Sequence, residues 1–115
     1  MDVHTETFER DVIDRSRELP VVVDFWAAWC GPCRALGPAI ESEVAKREGK
    51  IELAKVDVDA ERALAAQYGI QSIPTVAVFR DGRPVNSFVG AHPAAAIGRF
   101  LDDAIARHSE AVETA

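Results

Sequence analysis

Cysteine is scarce in this 115-residue chain: there are two, at positions 30 and 33. A pair so close cannot staple a small secreted domain, so no disulfide scaffold is expected. Cations are also in deficit, with 13 Lys and Arg against 19 Asp and Glu and a formal charge of −6. They stand singly apart from short groups such as Lys46-Arg47 and Arg80…Arg83. Phosphate recognition needs clustered cations, so nucleic acid is not an expected partner. No apolar run is long enough to span a membrane, and the strongest one is broken by Asp24. The first residues, Met1-Asp2-Val3-His4-Thr5-Glu6, are acidic and polar, lack a signal-peptide pattern and give the expectation of a cytoplasmic protein. The three histidines, His4, His92 and His108, have no paired spacing. With the two cysteines they do not make the four-ligand set of a structural zinc site, and no metal is expected. Repeats, low-complexity segments and linkers are absent.

What is present suits a single domain. Hydrophobic residues make up 48% of the chain, and this length buries roughly two-thirds of its unfolded surface. The strongest strand signal is Val21-Val22-Val23-Asp24-Phe25-Trp26, apolar on both faces and therefore expected to lie between helices. It runs into Trp29-Cys30-Gly31-Pro32-Cys33, after which a helix is expected from Arg34 to about Arg47, with Leu36, Ile40 and Val44 inward and a kink at Pro38. Both cysteines thus fall where a buried strand gives way to a helix N-terminus. The free N–H groups of that first turn favour the thiolate, which is the reactive form. Spacing i, i+3 puts both sulfurs on one face, near enough to bond to each other. A reversible dithiol/disulfide couple is the favoured reading, against a static disulfide or half a zinc site.

Other elements follow in order. Val3-His4-Thr5 could be a short edge strand, with Thr5 capping a first helix that buries Phe8, Val12 and Ile13. Ile51 to Val58 forms a second strand, and Asp59 caps a short helix from Ala60 to Tyr68, closed by Gly69. Ile70 to Pro74 turns into a strand from Thr75 to Phe79, and Asp81-Gly82 is a hairpin turn into an edge strand from Pro84 to Val89. Gly90-Ala91-His92-Pro93 leads to a last helix reaching about Arg107, with Ser109 to Ala115 as a flexible tail. The alternation predicts a layered α/β domain with a mixed sheet.

Within the strands, Asp24 shares parity with Val22 and Trp26, so a carboxylate points where apolar residues are expected. Burial raises a carboxyl pKa and suits it to proton transfer near neutrality; an exposed strand Asp is the plainer alternative. Lys55 likewise shares parity with Ile51 and Leu53, and pairing with Asp24 across adjacent strands would account for both. A lysine snorkelling to the surface is the alternative.

The sequence resembles the thioredoxin family from Phe8 to about Ala106. The resemblance rests on Val23-Asp24-Phe25-Trp26-Ala27, Trp29-Cys30-Gly31-Pro32-Cys33, Pro38, Lys55-Val56-Asp57-Val58-Asp59, Tyr68-Gly69-Ile70, Ile73-Pro74-Thr75, Phe79, Gly82 and Val89-Gly90-Ala91. A bare Cys-x-x-Cys is a weak signal; this set in this order is specific. It implies a thioredoxin fold over residues 1–108, with a central sheet of about five strands flanked by about four helices. It further implies a general protein disulfide reductase, with Cys30 as nucleophile, Cys33 as resolving thiol, Asp24 beneath them accepting the Cys33 proton, and Lys55 tuning Asp24. Pro74 would be cis, and Trp29, Gly31, Pro32, Ile73, Pro74, Gly90 and Ala91 would form the substrate-docking surface. Gly31-Pro32 places no ionisable group between the cysteines, which favours a reductant over an oxidant. An oxidase or isomerase on the same fold, or a non-catalytic binding or chaperone subunit, are the competing readings. The implied partners are disulfide-containing proteins and an NADPH-dependent flavoprotein thioredoxin reductase. The chain itself has no Gly-rich dinucleotide fingerprint, so no bound cofactor is expected. Nothing points to an obligate dimer, and a monomer is expected. Departures from the family pattern are a short N-terminus, Ala28 where an acidic residue is common, and Gly98 inside the last helix.

Overall fold

In the computed structural model, which describes residues 1–114 and the side chains of residues 1–108, the stretch apolar on both faces takes the interior of the sheet. That strand is β1 (Val21–Trp26), with β2 (Glu52–Asp57) on one side and β3 (Thr75–Arg80) then β4 (Arg83–Val89) on the other. β1 pairs with β2 in parallel and with β3 antiparallel, and β3 and β4 form an antiparallel hairpin. A parallel pair needs a crossover, supplied by α1 (Gly31–Ala45). The hairpin needs only a tight turn, and Asp81 and Gly82 both take positive φ there, at 52° and 85°.

Side-chain alternation divides the core into two layers. Val21, Val23 and Phe25 pack with Ala54, Val56 and Phe79 against Phe8, Val12 and Leu64. These last come from the helical segment of residues 5–17 and from α2 (Arg62–Gln67). On the opposite face Val22, Leu53, Val76 and Val78 meet Leu36 and Ile40 of α1 and Ile97 and Leu101 of α3 (Ala94–Thr114). Helices therefore cover both faces of a mixed sheet, the α/β arrangement expected.

Four expectations are corrected. Among the described residues the strands number four rather than about five. Val3-His4-Thr5 is not a strand: an isolated parallel bridge joins Asp2 to Lys55, because the chain turns into a helical turn (Thr5–Thr7) straight afterwards. His4, not Thr5, stands at the cap position of that turn, and its N–H donates to the Thr7 hydroxyl at 3.2 Å. The last helix continues to Thr114, past the end expected near Arg107. The expected tail at 109–115 falls on residues whose side chains, and for Ala115 the backbone too, lie outside the described part.

Gly98 has a local reason. A Cβ there would stand 3.1 Å from Nη2 of Arg47 and 3.2 Å from Oε1 of Glu43. Arg47 reaches from the end of α1 to Asp102 at 2.8 Å and to the Gly98 carbonyl at 3.2 Å. The glycine opens the notch through which this guanidinium ties α1 to α3.

Candidate active site

β1 ends at Trp26, and the turn that follows delivers Cys30 as the N-cap of α1. Pro32 fits the first helical turn, where its missing N–H costs nothing. Cys30 and Cys33 form a disulfide with Cα atoms 5.3 Å apart, so the chain is in its oxidised state. The Cys33 N–H donates to Cys30 Sγ at 3.2 Å. A backbone donor at a helix N-terminus is the arrangement that stabilises negative charge on that sulfur. Exposure does not separate the cysteines: Cys30 is 4% exposed and Cys33 6%. In the disulfide form it is the backbone donor at the helix end, directed at Cys30 Sγ, that sets the two sulfurs apart.

The cysteines pack with Ala27, and Trp26, Val58 and Ile73 lie against that cluster. The Ile73–Pro74 peptide bond is cis. The Gly90 N–H donates to the Pro74 carbonyl at 2.8 Å, bringing the Gly90–Ala91 segment beside the cis bond. Gly31, Pro32 and Ala91 are exposed, Ile73 and Gly90 half-buried, and Pro74 buried. Trp29 is the most exposed large apolar side chain among the described residues, at 67%.

That indole is held from below. Trp29 Nε1 donates to Asp59 at 2.8 Å. The assignment of Asp59 as a helix cap is corrected accordingly: α2 starts later, at Arg62, and Asp57 Oδ1 accepts the N–H groups of Asp59 and Ala60 instead. Arg34 donates to the Ala28 carbonyl at 2.9 Å and braces the turn before Cys30.

Asp24 is 2% exposed, and its Oδ1 is buried with no partner among the described residues. Its pKa is raised from the ordinary 3.8 to about 6: burial raises it most, the Lys55 charge lowers it and the Glu41 charge raises it. Asp24 and Lys55 are Cα partners on β1 and β2, as strand parity suggested. The expected ion pair between them is not formed. The Lys55 ammonium binds Glu41 at 2.9 Å and sits 5.5 Å from the centroid of the Trp26 ring. A cleft of about 360 Å³ beside α1 is lined by Cys33, Gly37, Glu41, Lys55 and Trp26 among others. Asp59 and Glu41 are the two site residues that the sequence did not disclose. Both are acidic side chains on exposed stretches, with no local signal of what they bind.

The histidines stay apart from this chemistry. His4 pairs with Glu61 at 3.1 Å, which raises its pKa through the hydrogen bond. His92 faces the Val89 carbonyl at 3.3 Å and His108 the Glu18 carbonyl at 3.1 Å. Among the described residues no three His, Cys, Asp or Glu side chains converge as a metal site, and no helix is long and apolar enough to cross a membrane.

A model of the thioredoxin family matches residues 1–103. A thioredoxin of Streptomyces clavuligerus is 47% identical over 98 residues, covering 85% of this chain and 89% of the relative. A thioredoxin of Mycolicibacterium smegmatis is 45% identical over 105 residues, covering 90% and 92%. Thioredoxin 1 of a Nostoc species is 43% identical over 100 residues, covering 87% and 92%.

Proposed function

This chain belongs to the thioredoxin family and is a protein dithiol–disulfide oxidoreductase, and on that footing we propose how its residues divide the work. Cys30, as thiolate, attacks one sulfur of a substrate disulfide. That S–S bond breaks, a mixed disulfide forms through Cys30, and the other substrate sulfur leaves as a thiolate. Cys33 gives up its proton to Asp24 and attacks Cys30 Sγ. The second substrate sulfur leaves, the substrate has gained two electrons, and the Cys30–Cys33 disulfide remains. The observation that carries this reading is the disulfide at the head of α1, with a backbone N–H directed at Cys30 Sγ and not at Cys33. Asp24 suits its role because a carboxyl with a pKa of about 6 takes and returns a proton near neutral pH. Lys55 tunes Asp24 by its charge, which lowers the carboxyl pKa without a bond to it.

The docking surface proposed is Trp29, Gly31, Pro32, Ile73, Pro74, Gly90 and Ala91. Exposed Trp29 supplies apolar area, and the backbone at Ile73 offers a place for a substrate segment to pair as an added strand. Reducing equivalents come from an external donor, which we assign to an NADPH-dependent flavoprotein thioredoxin reductase, with no cofactor held by this chain. A monomer working in the reducing cytoplasm completes the proposal.

The test is covalent trapping. Cys33→Ser, incubated with a disulfide-bonded protein, should accumulate an adduct through Cys30 that a non-reducing gel resolves and dithiothreitol removes. Adducts on Cys33 in the Cys30→Ser variant, with none on Cys30, would reverse the assignment.

A further inference from the structure

Lys55 has two carboxylates within its reach and is bonded to the one that is not its strand neighbour. Asp24 is its Cα partner on β1, and parallel partners project to the same face of the sheet. The ammonium nevertheless lies 2.9 Å from Glu41 on α1. Two features hold it there. The Glu41 carboxylate supplies the charge, and the Trp26 ring, 5.5 Å away, supplies a cation–π face. Gly37, one turn before Glu41, lies alongside: an added Cβ would stand 3.7 Å from the ammonium nitrogen, an ordinary van der Waals contact. The withdrawn lysine leaves Asp24 Oδ1 buried without a partner among the described residues. All of these groups except Asp24 line the cleft that reaches Cys33.

We propose that Glu41 is a positioning residue for proton transfer: it anchors Lys55 at the wall of the cleft, so that Asp24 is kept from a direct ion pair and retains its affinity for the Cys33 proton. The inference rests on Asp24 being the proton acceptor. A carboxylate bonded to an ammonium would give up its basicity. Burial alone, with the cation held off, preserves it. The charged groups around Asp24 are few. β2 brings Lys55, α1 brings Glu41, and β3 brings the uncharged Val76 opposite Asp24. Arg34 lines the same cleft but is engaged with the Ala28 carbonyl. The sign follows from the charges. Glu41 raises the Asp24 pKa and Lys55 lowers it, so removing Glu41 both deletes a negative neighbour and frees Lys55 to approach.

The experiment follows the Asp24 carboxyl directly, by carbon NMR of the oxidised full chain across a pH titration. Glu41→Gln should move the Asp24 midpoint to lower pH, and Glu41→Asp, which keeps the anchor, should bring it back toward the parent value. In a Lys55→Met background the Glu41→Gln displacement should shrink, because the residue acts largely through the lysine. A Glu41→Gln midpoint equal to or above the parent value overturns the proposal. So does an equal displacement with and without Lys55, which would make Glu41 only a distant charge. The pH profile of disulfide reduction separates the premise from the inference. If Asp24→Asn leaves that profile unchanged, the proton-acceptor reading fails. If Asp24→Asn flattens it but Glu41→Gln leaves the Asp24 titration in place, only the Glu41 assignment fails.

Discussion

Asp24 and Lys55 face each other across β1 and β2, yet the lysine is bonded to Glu41 and Asp24 Oδ1 is buried with no partner among the described residues. The ionised carboxylate is therefore a liability to the fold. Raising its pKa from 3.8 to about 6 costs the folded state about 3 kcal/mol once Asp24 is ionised. The folded chain holds this proton where the unfolded chain has lost it. The stabilising contribution of the proton is complete below the ordinary carboxylate range and is lost as pH rises through about 6. Asp24→Asn should thus stabilise the fold by up to about 3 kcal/mol at about pH 7.5 and by little at about pH 3, as read by denaturant unfolding. An equal difference at both pH values would show that Asp24 is not a strained carboxylate.

The Trp29–Asp59 hydrogen bond, at 2.8 Å, ties an exposed indole to the turn after β2. Asp59→Ala should release the ring. Reduction of a protein disulfide should slow about fivefold, the scale of losing about 1 kcal/mol from one solvent-exposed hydrogen bond. A small aromatic disulfide, which makes little use of the docking face, should be affected less, and Trp fluorescence should report the freed indole. Equal losses on both substrates would point to damage at the cysteines instead.

Gly98 offers a test of packing. In an open helix Gly→Ala gains about 1 kcal/mol. Here the new methyl meets Arg47 and Glu43 at 3.1 and 3.2 Å, and both side chains are held in a network with Asp102. Gly98→Ala should therefore return less than half of that gain, and Arg47→Ala should restore most of it. A full gain in the parent background would mean that the notch is unimportant.

The parts of this protein that could be read in its sequence are those set by periodicity and local chemistry. β1 is apolar at every position except Asp24, and it occupies the sheet interior with helices on both faces. Parity placed Asp24 and Lys55 on one side of neighbouring strands, and the structure puts them in register. The Asp81-Gly82 pair forms the expected turn because both residues tolerate positive φ. What could not be read depends on side chains that meet through the fold. Glu41 is one of two acidic residues on α1, and only the crossover brings it over β2. Asp59 has the composition of a helix cap, but the nearby indole takes its carboxylate. α3 runs past the expected end near Arg107 because nothing between Ser109 and Thr114 is a helix breaker, neither Gly nor Pro.

The central claim is that Cys30 and Cys33 are a reversible reducing couple. It is tested most directly by equilibrating the protein with dithiothreitol buffers and counting free thiols by trapping. One two-electron transition, at a potential below that of the glutathione pool, is the result expected for a reductase with an uncharged Gly31-Pro32 spacer. A potential well above that pool, or no reversible transition at all, would contradict it.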